Sequence, residues 1–306
     1  MTLYSLAAPA SPPACENGKI VVEDSNGIRT SFDTFRKALK SITPQSKVWV
    51  GSGQFEEVAV IDTKTQLTFT TACNAIVRGF RIRGSSNITI DGFKIDASSI
   101  PAGTDAIYAG VKLAGGAFKN DHITVSNNEI FNAANRNGIA INGGNADITI
   151  TQNFIHNNGR NGILFGRLPL IAGQCATECD DDESNPTDPG LTPTGTNILV
   201  QNNKIEYNGF NGISLNGRHT ISFVQNDINN NGTAGYIAKG YGFAAFSCEL
   251  TDSVKLTDNV IAYNNGKTIK NKASRDIFGY FRILDASDSG NKTTAGTEGA
   301  GVVALV

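Results

Sequence analysis

The sequence predicts an all-β solenoid of three-strand coils, and three observations carry that prediction. First, residues 121–166 contain a unit that returns within itself: Asn128 recurs as Asn153 and Ile130 as Ile155, 25 residues on, and Asn137-Gly138-Ile139 recurs as Asn161-Gly162-Ile163. A fixed period of this size marks an architecture of stacked repeats. Second, the unit comes back three more times. It returns with Asn203, Ile205 and Asn211-Gly212-Ile213, then with Asn226 and Ile228, then with Asn259 and Ile261. Third, each unit of about 22–25 residues holds three short apolar runs at strand spacing and leaves no room for a helix. A parallel β-helix meets all three conditions. Inward Ile, Val and Leu of successive coils form one core, and the recurring Asn stacks as an amide ladder bonded to turn backbone.

Taken in order, residues 1–17 are Pro- and Ala-rich and read as an extended tail. Residues 18–46 read as a cap. Lys19 to Val22 form a short strand, and Ser31 caps a helix whose Phe32, Phe35, Ala38, Leu39 and Ile42 fall at helical spacing. A solenoid needs its first rung covered, because an open end exposes apolar core. Coils are expected over 47–265, with Phe93 in the position that Asn128 holds one coil later. A polar, acidic insertion interrupts them at 168–196 and an aromatic-rich one at 239–250. The repeat is lost in 266–306, which reads as a C-terminal cover or tail, with Ile277 and its apolar neighbours as a last strand or part of that cover.

Composition narrows the function classes. A net charge of −2 argues against binding nucleic acid through phosphate neutralisation. No apolar run reaches the length of a bilayer span. The N-terminal stretch lacks the basic start of a signal peptide. The five cysteines are Cys15, Cys73, Cys175, Cys179 and Cys248. They leave one unpaired if disulfides form, with Cys175 bridging locally to Cys179 or to Cys248; free cytosolic thiols are the alternative. No Cys/His spacing suggests zinc. Asn87, Asn231 and Asn291 each open an acceptor sequon.

These Asn-x-Ile and Asn-Gly-Ile units resemble the right-handed parallel β-helix proteins of the pectate lyase superfamily, including the repeats of mannuronan C5-epimerases. The resemblance spans about residues 47–265 and speaks for the fold. The Asp-Pro-His-Asp motif of the epimerases is absent; Asp188-Pro189-Gly190 lacks the histidine. Arg167-Leu168-Pro169 carries only the first part of a lyase pattern, so no catalytic set transfers residue by residue.

The resemblance implies that substrate lies along the Gly-Ile-x-Leu strands. Their outward positions include Tyr108, Ala140, Asn142, Leu164, Ser214 and Asn216. Lys112, Arg167, Arg218, His219 and Lys239 fall near the strand ends, and Arg136 and Arg160 lie on the turn before. A basic band in an otherwise acidic chain suits a polymer of uronic acids, since guanidinium grips carboxylate in bidentate fashion. The chemistry expected of such a groove is β-elimination or C5 epimerisation. Arg218 and Arg167 are assigned to carboxylate binding, with Arg136, Arg160, Asn142 and Asn216 as further substrate contacts. Lys239 or His219 is assigned as base and Tyr241 as acid. The same residues also read as solvated strand-end charges. His156 and Glu206 read as a surface pair on another sheet. Asp180, Asp181, Asp182 and Glu183 form the densest acidic cluster; clustered carboxylates suit Ca²⁺, and a solvated acidic loop is the alternative. The expected function is therefore an extracellular or cell-surface polysaccharide lyase or epimerase. A non-catalytic carbohydrate-binding or adhesive module comes second, and a glycoside hydrolase third.

Overall fold

Three parallel faces wind around one apolar core in this computed structural model, which describes residues 13, 15–100, 105–109, 119–134, 136–141, 145–166, 195–215, 219–233, 243–245, 253–262, 264, 277–279 and 292–293. The first face runs from Lys47–Val50 through Thr65–Thr70, Ser86–Asp91, Asp121–Ser126, Asn145–Thr151, Gly195–Gln201 and His219–Val224 to Ser253–Thr257. The second holds the three-residue strands Lys94–Asp96, Glu129–Phe131, Phe154–His156, Lys204–Glu206, Asp227–Asn229 and Val260–Ala262. The third holds Ile107–Ala109, Ile139–Ile141, Ile163–Phe165, Ile213–Leu215, Phe243–Ala245 and Ile277–Gly279. The last of these shows that part of the tail is a further coil strand. In the earliest coils a single long strand, Ala75–Arg83, bends from the second face into the third.

Register explains the core. Ile88, Ile123, Ile148, Ile198 and Ile221 stand in line on the first face, and Ile95, Ile130, Ile155, Ile205, Ile228 and Ile261 on the second. All are buried. A buried Ile contributes roughly 1.5–3 kcal/mol, so the inward rows are the main stabilising term.

The corners between faces follow one rule. A residue in the left-handed region comes first, then an Asn whose amide bonds to the next coil. Asn127, Gln152, Asn202, Gln225 and Asp258 have φ of 53–56° and precede Asn128, Asn153, Asn203, Asn226 and Asn259. In this ladder the backbone N–H and Nδ2 of each Asn both donate to the Oδ1 below, at 2.9–3.1 Å. Phe93 tops it by donating its N–H to Asn128 Oδ1, as its sequence position implied. A second ladder, Asn158, Asn208, Asn231 and Asn264, closes the next corner. Asn231 is wholly buried there, which removes it as a glycan acceptor.

The cap differs from expectation in one detail. The helix is Phe35–Ser41, capped by Thr34 Oγ1, which accepts from Lys37 N at 3.2 Å. Ser31 is not the cap. It lies in the strand Arg29–Phe32, which pairs antiparallel with Ile20–Glu23. The pairing holds Ser31 extended, and the helix starts only where the chain leaves that hairpin. Phe35, Ala38 and Leu39 cover the open core, with Phe35 against Phe55 and Phe80 at 5.7 and 6.2 Å.

Cys15 and Cys73 form a disulfide, a pairing the spacing did not reveal; Cys175, Cys179 and Cys248 lie outside the described residues. The bridge closes a separation of 58 residues around the cap. Changing Cys73 to Ser should therefore lower unfolding free energy by about 2–4 kcal/mol, measured by urea denaturation with and without reductant. The oxidised wild type is expected to lose that difference on reduction.

Candidate functional site

The turn leading into the third face is built from the unit x-Asn-Gly-Ile, in three successive coils. Arg136 precedes Asn137-Gly138, Arg160 precedes Asn161-Gly162, and Phe210 precedes Asn211-Gly212. The backbone locks these positions in register. Arg160 N donates to Arg136 O at 2.9 Å, and Phe210 N donates to Arg160 O at 2.8 Å. Immediately beside them a third ladder runs through Asp105, Asn137, Asn161 and Asn211. Its donors point the opposite way from those of the other two, toward the N-terminal coil. Such a column must end on an acceptor, and the Asp105 carboxylate supplies it at 2.8 Å to Asn137 Nδ2.

The glycines of this turn are dictated by space. A Cβ on Gly162 would lie 2.5 Å from Ile205 Cγ2 and 2.7 Å from Gly212 O; one on Gly138 would lie 2.8 Å from Asn158 Nδ2. Gly162→Ala should cost about 1–3 kcal/mol through overpacking. It should also disturb Arg160, so a thermal melt and a ligand titration are expected to fail together.

Ladder and glycine together fix two arginines one coil apart, about 4.8 Å. Arg160 is exposed and Arg136 half-buried, and neither has an ion pair among the described residues. Two adjacent guanidinium groups with no paired carboxylate among the described residues are an arrangement that suits an anion. Phe210, half-buried, continues the row with apolar surface. Sequence reasoning passed over Phe210. The signal was present, since it stands before Asn211-Gly212 as Arg160 stands before Asn161-Gly162.

Of the other expected site residues, Arg167, Arg218, Lys239, Tyr241, Asn142 and Asn216 lie outside the described residues, as do Asp180, Asp181, Asp182 and Glu183. His219 opens a strand of the first face, with its backbone in register with Gly195. No cluster of three metal-ligating side chains occurs among the described residues. The outward positions of the third face are less open than expected. Ala140 and Ser214 are buried, at 1% and 3% exposure, because they are small and flank the larger Leu164 in register. His156 and Glu206 stand in register but do not bond to each other. His156 Nε2 lies 3.3 Å from Glu129 Oε1, and Glu206 accepts from Lys204 Nζ at 2.9 Å.

Comparison with known proteins adds the following. The family model described as right handed beta helix region matches residues 78–279. No curated protein matches the sequence. Among solved structures, a point mutant of a periplasmic alginate epimerase is similar at 13% identity and a TM-score of 0.47, over 79% of this chain and 49% of that one. An alginate lyase from a Paenibacillus strain is similar at 15% identity and a TM-score of 0.48, over 85% and 92% of the two chains. A pectate lyase is similar at 11% identity and 0.46, over 85% and 72%. This chain thus spans about half the length of the epimerase. No assignment of activity rests on likeness of this degree. No helix among the described residues is long and apolar enough to cross a membrane.

Proposed function

Because the chain belongs to the right-handed β-helix family, we propose that it is an extracytoplasmic protein acting on acidic polysaccharides, a lyase or C5-epimerase of uronate-containing glycans. The observation that supports this reading is the register-locked pair of half-buried Arg136 and exposed Arg160 beside Phe210, with no carboxylate paired to either among the described residues. The coil spacing is comparable to one sugar repeat of an extended glycan, so adjacent arginines suit adjacent uronates.

Both reactions begin by removing the proton at C5 of a uronate. The negative charge then spreads into the carboxylate, and a guanidinium bonded to that carboxylate lowers the barrier because it meets charge as it develops. In elimination the electron pair forms the C4–C5 double bond while the C4–O bond breaks, and the departing oxygen takes a proton. In epimerisation a proton returns to C5 from the opposite face. Arg136 and Arg160 are the carboxylate-binding residues of this proposal; Lys239 or His219 remains the proposed base and Tyr241 the proposed acid, with Arg167 and Arg218 as further cations. Ca²⁺ at Asp180, Asp181, Asp182 and Glu183 is a separate proposal for which the assay supplies its own arm.

The test is incubation with alginate and polygalacturonate, with and without Ca²⁺. Elimination gives ultraviolet absorbance from the unsaturated uronate, and epimerisation a changed proton NMR spectrum of the recovered polymer. Neither signal with either polymer would remove the enzymatic reading. The second reading, binding without catalysis, is favoured by the buried small residues Ala140 and Ser214 at the middle of the third face. It predicts retention of acidic glycan with no product.

A further inference from the structure

The second face carries an aromatic surface that the arginine row does not use. Phe131 and His156 stand in register in adjacent coils with parallel rings 5.3 Å apart. Within its own strand His156 stacks on Phe154 at 4.1 Å. One coil on, Lys204 Nζ lies 5.0 Å from the centre of the Phe154 ring and donates to Glu206 Oε1, and Glu206 is buried.

The corner at the end of this strand holds Tyr207, 47% exposed, with φ of 54°. Asn132, Asn157 and Asn230 occupy the equivalent left-handed position in neighbouring coils. Asn tolerates that conformation, whereas for a bulky side chain it is an outlier. Strain of this kind gathers where a side chain serves a ligand. Tyr207 directly follows Glu206 at the end of the strand Lys204–Glu206. The Lys204 ammonium is held above its ordinary pKa, first by the hydrogen bond to Glu206 and against its own desolvation. The charges of Glu206 and Asp227 act in the same raising direction.

From these features we infer that the second face and its corner bind a neutral, hydroxyl-rich glycan. Tyr207 takes the apolar face of a pyranose ring, the outer rim of the Phe131, His156 and Phe154 stack supports the neighbouring sugar, and Glu206 and Lys204 take hydroxyls. The sign of the patch selects the class: Glu129, Glu206 and Asp227 outnumber Lys94 and Lys204, which disfavours a polyuronate. The site is distinct from the arginine row and does not depend on that row's function.

The experiment is affinity electrophoresis of the full chain in gels containing galactomannan, xyloglucan, mixed-linkage β-glucan or dextran, and in gels containing alginate. At least one neutral polymer is expected to retard the wild type. Tyr207→Asn should weaken that retardation about tenfold, the size of one lost aromatic contact. It should also raise the melting temperature by about 1–3 °C, because strain is relieved. Phe154→Ala should weaken binding as well, and Arg160→Ala should leave the neutral-polymer retardation unchanged. Three outcomes would overturn the inference: retardation by no neutral polymer, undiminished retardation of Tyr207→Asn, or a melting temperature that falls with the loss of binding. The last would make Tyr207 a packing residue.

Discussion

Replacing Asn203 by Leu is expected to cost roughly 2–5 kcal/mol of unfolding free energy, estimated from the orphaned N–H of Asn153 and the loss of a donor to the carbonyls of Ile150 and Gln201. Asn203 sits inside a ladder, not at its end. Its Oδ1 accepts from both the N–H and Nδ2 of Asn153 at 3.0 Å. Its Nδ2 donates to Ile150 O and Gln201 O at 2.9 Å and to Asn226 Oδ1 at 3.0 Å. The residue is 2% exposed, so water cannot replace what is lost. Leu has the same branched shape, so no cavity opens, and its larger methyl groups add an overpacking cost to the lost hydrogen bonds. With total stabilities of about 5–15 kcal/mol typical of folded proteins, this change should bring the chain close to unfolding. The adjacent Asn202 is the control. It is exposed with φ of 54°, and Asn202→Gly should change stability by less than about 1 kcal/mol. Urea denaturation of both variants decides the matter. A loss below about 1 kcal/mol in Asn203→Leu would mean the ladder follows the fold without holding it.

The second large effect falls on substrate. The double variant Arg136→Ala, Arg160→Ala should lower kcat/KM on an acidic glycan by roughly 10²–10³-fold, equivalent to about 3–4 kcal/mol for two charge-assisted contacts. Each single variant should lose more than half of that in free energy if the two groups grip neighbouring carboxylates cooperatively, because either change also removes the coupling between them. Folding should be unaffected, because both residues hold their coil through backbone bonds, Arg160 N to Arg136 O and Phe210 N to Arg160 O, that alanine keeps. Equal kcat/KM in wild type and double variant would move the acidic-glycan site away from this turn.

Much of the fold was legible in the sequence because its physics repeats. Ile130, Ile155 and Ile205 recur because one inward position must be filled in every coil, and Asn128, Asn153 and Asn203 because one buried corner must be bonded. Features that occur once were not legible. Cys15 and Cys73 are 58 residues apart, and nothing in their surroundings marks them as a pair. Ser31 carries the signature of a helix cap and loses it to a strand pairing with Val21 that only the folded hairpin reveals. Nothing in the sequence marks Asp105, whose role as the end acceptor of the reversed ladder depends on the direction in which those amides point. The candidate site divides along the same line. Arg136 and Arg160 could be aligned because the repeat carries them, and Phe210 could have been. Ala140 and Ser214 were expected to line an open groove, but exposure depends on what stands beside them and not on strand alternation alone.

The proposal stands on two guanidinium groups on the turns before the third face, without a carboxylate partner among the described residues, recognising carboxylates of a glycan. Titration of the wild-type chain with an alginate oligomer at low and at high ionic strength tests it most directly. Screening weakens exposed charge pairs as the Debye length shrinks from about 10 Å at 0.1 M salt to about 3 Å at 1 M. The account predicts clear binding at low salt, marked loss at high salt, and no binding by the Arg136→Ala, Arg160→Ala variant. An affinity indifferent to salt, or equal in wild type and double variant, would contradict it.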